Sequence, residues 1–125
     1  MKRYNASKKP VPELWLSLDD DTRLELIEKY VENFERKIDD SAKSIHASIH
    51  MVVENQLALN EDVTIKAYQR LMQQGLKRHE TIHAIGAIIL ESIESGMKEK
   101  SEVLTVNYKN RLRKLTAKRW IKGKY

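Results

Sequence analysis

Apolar residues recur at three- and four-residue steps along most of this chain, which is the period of an α-helix rather than a strand. Leu24, Ile27, Val31, Phe34 and Ile38 make one such stripe, entered through the acids Asp19, Asp20 and Asp21, and predict a helix over 20–38. Asp39-Asp40-Ser41 supplies a break and a new start. A second helix over 41–59 then turns Ala42, Ile45, Ile49, Val52 and Val53 inward. Asn60-Glu61-Asp62 opens a shorter third helix carrying Val63, Ala67, Leu71 and Met72, closed by Gly75. A fourth helix over 77–97 has Ile82, Ile85, Ile88, Ile89 and Ile93 as its apolar face.

The two ends are more modest. Pro12 suits the first turn of a short helix with Leu14 and Trp15, and residues 1–12 before it read as a flexible arm. In the tail, Leu104, Tyr108, Leu112 and Leu115 keep helical spacing, and Thr116 caps a last turn through Trp120. With no strand pattern, the expectation is an all-α bundle of four main helices over 13–100, plus a basic C-terminal helical extension over 101–125.

Composition narrows the class. The chain has 125 residues, 41% of them apolar and 33% charged, which suits one soluble domain with a modest core. No apolar run nears the ~20 residues of a membrane-spanning helix, and the N-terminus lacks the apolar stretch of a secretory signal. There is no cysteine, so a cytoplasmic protein is expected, with nitrogen and oxygen as its only metal ligands.

Charge is unevenly placed. Residues 1–12 carry a net +4 and residues 101–125 a net +7, while the body between them is at −6. Lys109, Arg111, Arg113, Lys114, Lys118 and Arg119, interleaved with Trp120, form a candidate surface for nucleic acid or an acidic partner. The competing expectation is that Tyr108, Leu112, Leu115 and Trp120 pack on the bundle while the basic face stays solvated.

All four histidines occur as i, i+4 pairs, His46/His50 and His79/His83. That spacing places both imidazoles of a pair on one side of a helix, where they can share a metal. If short loops set helices two to four up, down and up, the histidine helices are parallel and their pairs meet at one level. Glu35, at the end of the first long helix, and Arg70, at the end of the third, arrive at the same level. Glu54 continues the His46, His50 stripe and is a candidate ligand. The expected ion is a divalent transition metal, zinc first and iron or manganese next.

His79-Glu80-Thr81-Ile82-His83 also has the H-E-x-x-H spacing of zinc proteases, in which Glu80 would be the water-activating base. Gly86 even falls where the longer protease pattern has its glycine. The third histidine of that pattern is replaced by Ile89, however, and the helix runs on through Ile93. A protease is therefore disfavoured, and Gly86 is expected to let another helix approach closely. Metal-assisted hydrolysis stays open, as do a non-enzymatic interaction module using the basic ends and a homodimer with purely structural histidines.

"HASIHMVVENQLAL" and "LMQQGLKRHETIHAIGAII" resemble an uncharacterised bacterial family of small His-rich helical proteins, a domain of unknown function. The resemblance implies that His46, His50, Glu54, His79 and His83 act as one constellation. It implies no activity, substrate or partner.

Overall fold

The computed structural model describes residues 1–99 and 106–123, apart from the side chains of 95–99 and Val106. Among these residues it is all-α, with seven helices: α1 (Pro12–Ser17), α2 (Asp20–Phe34), α3 (Asp40–Ala58), α4 (Asp62–Gln73), α5 (Arg78–Glu99), α6 (Val106–Lys114) and α7 (Ala117–Ile121). The four main helices are those expected, and the tail is divided in two where Thr116 accepts from the Arg119 amide and caps α7. Leu104 and Tyr125 lie outside the described residues. No described helix is long and apolar enough to cross a membrane.

Local chemistry places the ends. Asp19 accepts a hydrogen bond from the Thr22 amide at 2.7 Å and starts α2, an interaction worth ~1 kcal/mol. The turns flanking α4 use left-handed backbone at Asn60 (φ 59°) and Gly75 (φ 102°). Asparagine and glycine tolerate that conformation best.

Two apolar cores share α3. One joins Tyr4, Ala6, Trp15, Ile27, Tyr30, Val31 and Ala47. The other is larger and gathers Val53, Leu57, Leu71, the isoleucines of α5, and Tyr108, Leu112 and Leu115. Tyr108, Leu112 and Leu115 are each at most 1% exposed, so the tail packs on the bundle as one of its walls. Arg70 reinforces it by donating to the carbonyls of Leu112 and Leu115. This is also where Arg70 departs from expectation, since it serves the tail instead of the histidines.

Three consecutive polar residues of α3 pin three parts of the chain. Glu54 is bound by Arg78 of α5. Asn55 accepts from Trp15 Nε1 and Arg23 Nη1, tying down α1 and α2. Gln56 accepts from Thr64 and Tyr108, tying down α4 and α6. Each polar atom buried in this girdle finds a partner, as burial requires.

The N-terminal stretch is a correction to the flexible arm expected over 1–12. It contains no helix before Pro12, yet Tyr4 is 4% and Ala6 0% exposed, and the Ala6 carbonyl accepts from Arg78. Basic composition concealed this because two small anchors, not a periodic stripe, hold the segment.

The expected parallel course of the histidine helices is also corrected. Glu54 meets Arg78 while His46 meets His83, so position rises along α3 as it falls along α5, and the two run antiparallel. The reason lies in α4. It bridges from Gln56, through its Thr64, to Arg78, through its Tyr68. Helix α5 therefore starts beside the C-terminal half of α3. Gly86 brings the pair close, as expected: a Cβ there would stand 2.8 Å from Ile49 Cγ2.

Candidate metal centre

Between the two cores, the C-terminal end of α2 meets α3 and α5. Helix α2 stops at Phe34, leaving that ring 72% exposed against Tyr30, and Glu35 turns inward instead of continuing the stripe. Ile45, expected in the core, is 51% exposed. The buried face of α3 is centred instead on Ala47, His50, Val53 and Glu54. A hydrophobic pattern could not locate this face, because its middle is polar.

All four histidines point Nε2 at Glu35. His83 Nε2 lies 2.7 Å from Glu35 Oε1, and His79 Nε2 touches the same oxygen. His46 Nε2 lies 2.7 Å from Oε2. His50 Nε2 is 3.3 Å from Oε1, 3.2 Å from His46 Nε2 and 3.0 Å from His83 Nε2. One donor atom from each of Glu35, His46, His50 and His83 falls within 4.8 Å of all the others, a group able to hold a metal ion. His79 stands at its edge, its ring 4.3 Å from that of His83.

Hydrogen bonds to Oε1 account for only part of this arrangement. Despite its distance, the His46 contact lacks hydrogen-bond geometry, and Glu35 Oε2 is buried without a hydrogen-bond partner. His50 Nε2 has three polar neighbours but at most one proton to share.

A second network fixes His50. The Tyr4 hydroxyl donates to Glu54 Oε2 at 2.6 Å and lies 3.2 Å from His50 Nδ1. Its one proton is committed to the carboxylate, so towards His50 it can only accept. His50 must then carry its proton on Nδ1, which leaves the Nε2 lone pair facing the centre. Orienting a metal-binding imidazole through its other nitrogen is the usual work of such a partner.

The electrostatics agree. Burial alone would push the Glu35 carboxyl up, but the contacts with His46, His50, His79 and His83 outweigh it and hold the group well below the usual carboxylate range. Burial lowers His50 against the opposing pull of Glu35, favouring neutral imidazole. Burial, then the Glu54 charge, raise Tyr4 well above an ordinary phenol, so the relay hydroxyl keeps its proton.

The structure thus brings together His46, His50, His79 and His83 and adds Glu35, which sequence reasoning placed at this level but left out of the ligand set. Its signal was position: a carboxylate at the end of a helix that arrives beside the pairs. Glu54 is elsewhere. Both its oxygens are bound by Arg78, at 2.7 and 2.9 Å, and one also by Tyr4, so it reaches the centre only through Tyr4 and His50. Glu80 is exposed in the first turn of α5, outside the group.

The basic tail is divided. Arg113, Lys114, Lys118 and Arg119 are exposed and Lys109 is half-buried. Arg111 pairs with Glu91 of α5. Trp120 lines an apolar cleft whose lining also includes His46, His50 and His83. No family model, curated protein or solved structure matches the chain.

Proposed function

We propose that this protein binds one divalent transition-metal ion through Glu35, His46, His50 and His83, with His79 orienting Glu35 or joining as a fifth donor. The observation that carries the reading is the convergence of imidazole Nε2 atoms on a buried carboxylate whose second oxygen has no hydrogen-bond partner. An ion about 2.0–2.1 Å from each donor keeps tetrahedral ligands about 3.3 Å apart. The His50 contacts, at 3.0 and 3.2 Å, are close to that spacing.

Four donors of this kind suit zinc. Five, with His79, suit iron or manganese, which accept six ligands. The resemblance of the two histidine helices to a His-rich family agrees with one shared constellation.

Elemental analysis of protein purified without a histidine tag or added metal tests the proposal. About one equivalent of metal is expected, falling sharply in Glu35→Gln and in His83→Ala; metal well below one equivalent, unchanged by either substitution, refutes it. Metal-assisted hydrolysis is the natural extension, because a cleft reaches the centre and would admit a substrate. Its test is turnover of an activated ester, abolished by chelator and by Glu35→Gln. Glu80 has no part in this reading, since it lies exposed and outside the group.

A further inference from the structure

A cleft of about 340 Å³ runs between α3 and α5, with Ile38 and Trp120 also on its walls, and reaches His46, His50 and His83. Its remaining lining is aliphatic: Ala42, Ile45, Ile49, Ile82, Gly86, Ala87 and Leu90. Apart from Trp120, its only polar side chains are three donors of the metal centre. A ligand seated here would therefore have to place its polar group at that end and its apolar body along the rest.

From this we infer that the cleft binds a medium-length aliphatic monocarboxylate, with its tail between α3 and α5 and its head at the ion. This rests on the metal-binding reading above. The size fits, since the volume is at the lower end of the ~300–1,000 Å³ typical of small-molecule sites. At ~30 Å³ per water-sized unit, it holds roughly ten non-hydrogen atoms, the size of octanoate.

Charge selects the head. A divalent ion with Glu35 and neutral imidazoles leaves a net +1, which one carboxylate neutralises. An adjoining groove shares Ile38 and His83 with the cleft and carries the exposed Arg36 and Lys37, which add positive potential at the same end. The head would reach the ion from the cleft side, where a bound metal would supply a Lewis-acid partner for the carboxylate by accepting one further ligand.

The test uses the full chain loaded with cobalt(II), its metal content measured separately. Titrations with acetate, butyrate, hexanoate and octanoate are followed by calorimetry and by the cobalt visible spectrum. Affinity should rise about fourfold per methylene, and octanoate should perturb the cobalt bands. Octanol should bind at least ~10-fold more weakly than octanoate, for want of the anionic head.

Ala87→Phe, which fills the cleft, should keep its metal while losing at least ~10-fold in octanoate affinity; Ala42→Phe serves the same purpose from the facing helix. Full metal content with no dependence on chain length overturns the cleft proposal and leaves the metal reading intact. Equal binding of octanol and octanoate, or a cobalt spectrum indifferent to octanoate, overturns the role of the head. Failure to take up metal overturns both readings, and is read directly from the metal assay. The chain-length series on the unsubstituted protein decides between these outcomes even if both variants misfold.

Discussion

Two carboxylates are buried within reach of the same histidine, and they are treated in opposite ways. Glu54 is fully satisfied: Arg78 grips both oxygens, Tyr4 adds a third hydrogen bond, and the Arg78 fork is itself used up on Tyr68 and Ala6. Glu35 is ringed by four imidazoles, yet one oxygen has no hydrogen-bond partner. Fixed donors with matched geometry make a carboxylate structural. Imidazole nitrogens that converge around it make it a candidate ligand. His50 joins the two, with Nδ1 facing the first network and Nε2 the second.

The comparison is broken most forcefully by deleting one side at a time. Arg78→Met leaves Glu54 charged and unpaired in the interior and should destabilise the fold by about 3–5 kcal/mol, the usual consequence of breaking a buried pair. Glu35→Gln should reverse the pattern. It should lower metal affinity by more than ~100-fold, beyond the ~10–100-fold of an outer partner, while changing metal-free stability far less than Arg78→Met. Chemical denaturation and competition with a chelator measure the two quantities. Equal loss of stability in both variants would erase the distinction.

Tyr4→Phe tests the connection. Without the hydroxyl, the His50 tautomer is no longer fixed and Glu54 loses one bond. Metal affinity should fall ~10–100-fold, with a stability loss of about 1–2 kcal/mol. Unchanged affinity would confine Tyr4 to the structural network.

The two sides should also fail at opposite pH. His50 in the fold lies below its ordinary 6.5, and Glu35 lies below its ordinary 4.5. For both, the unfolded chain takes up protons more readily. Their contributions are in place above those ordinary values and are lost as pH falls, His50 from below about 6.5 and Glu35 from below about 4.5. Tyr4 lies above its ordinary 10.0, so its contribution is full below pH 10 and is lost as pH rises further. Melting temperatures of the metal-free protein across pH should show both edges. Tyr4→Phe should weaken only the alkaline one, to which the buried Tyr108, pushed up to about 12, also contributes. The smallest effect is expected of Glu80→Gln, which should leave metal content and melting temperature unchanged within error; a loss of metal would return that residue to the site.

Periodicity carried much of the architecture. The stripes of α3, α4 and α5 and the caps at Asp19, Gly75 and Thr116 are local features, set within a turn or two of chain, and they correspond to observed elements. The failures have two causes. Phe34 and Ile45 were expected inside because they continue apolar stripes, but the interior beside them is made of Glu35 and histidines. Tyr4 and Ala6 were missed because an irregular segment has no period to read.

The sequence by itself determined the helices and the two histidine pairs, since i, i+4 spacing fixes both imidazoles of each pair to one side of a helix whatever surrounds it. Only the tertiary structure decided that α3 and α5 run antiparallel, that Glu35 and not Glu54 faces the histidines, and that Tyr4 sets the tautomer of His50. Those are contacts between residues up to 50 positions apart in the chain. They depend on where α4 crosses and where α2 ends, and the spacing of residues within one helix carries no record of either.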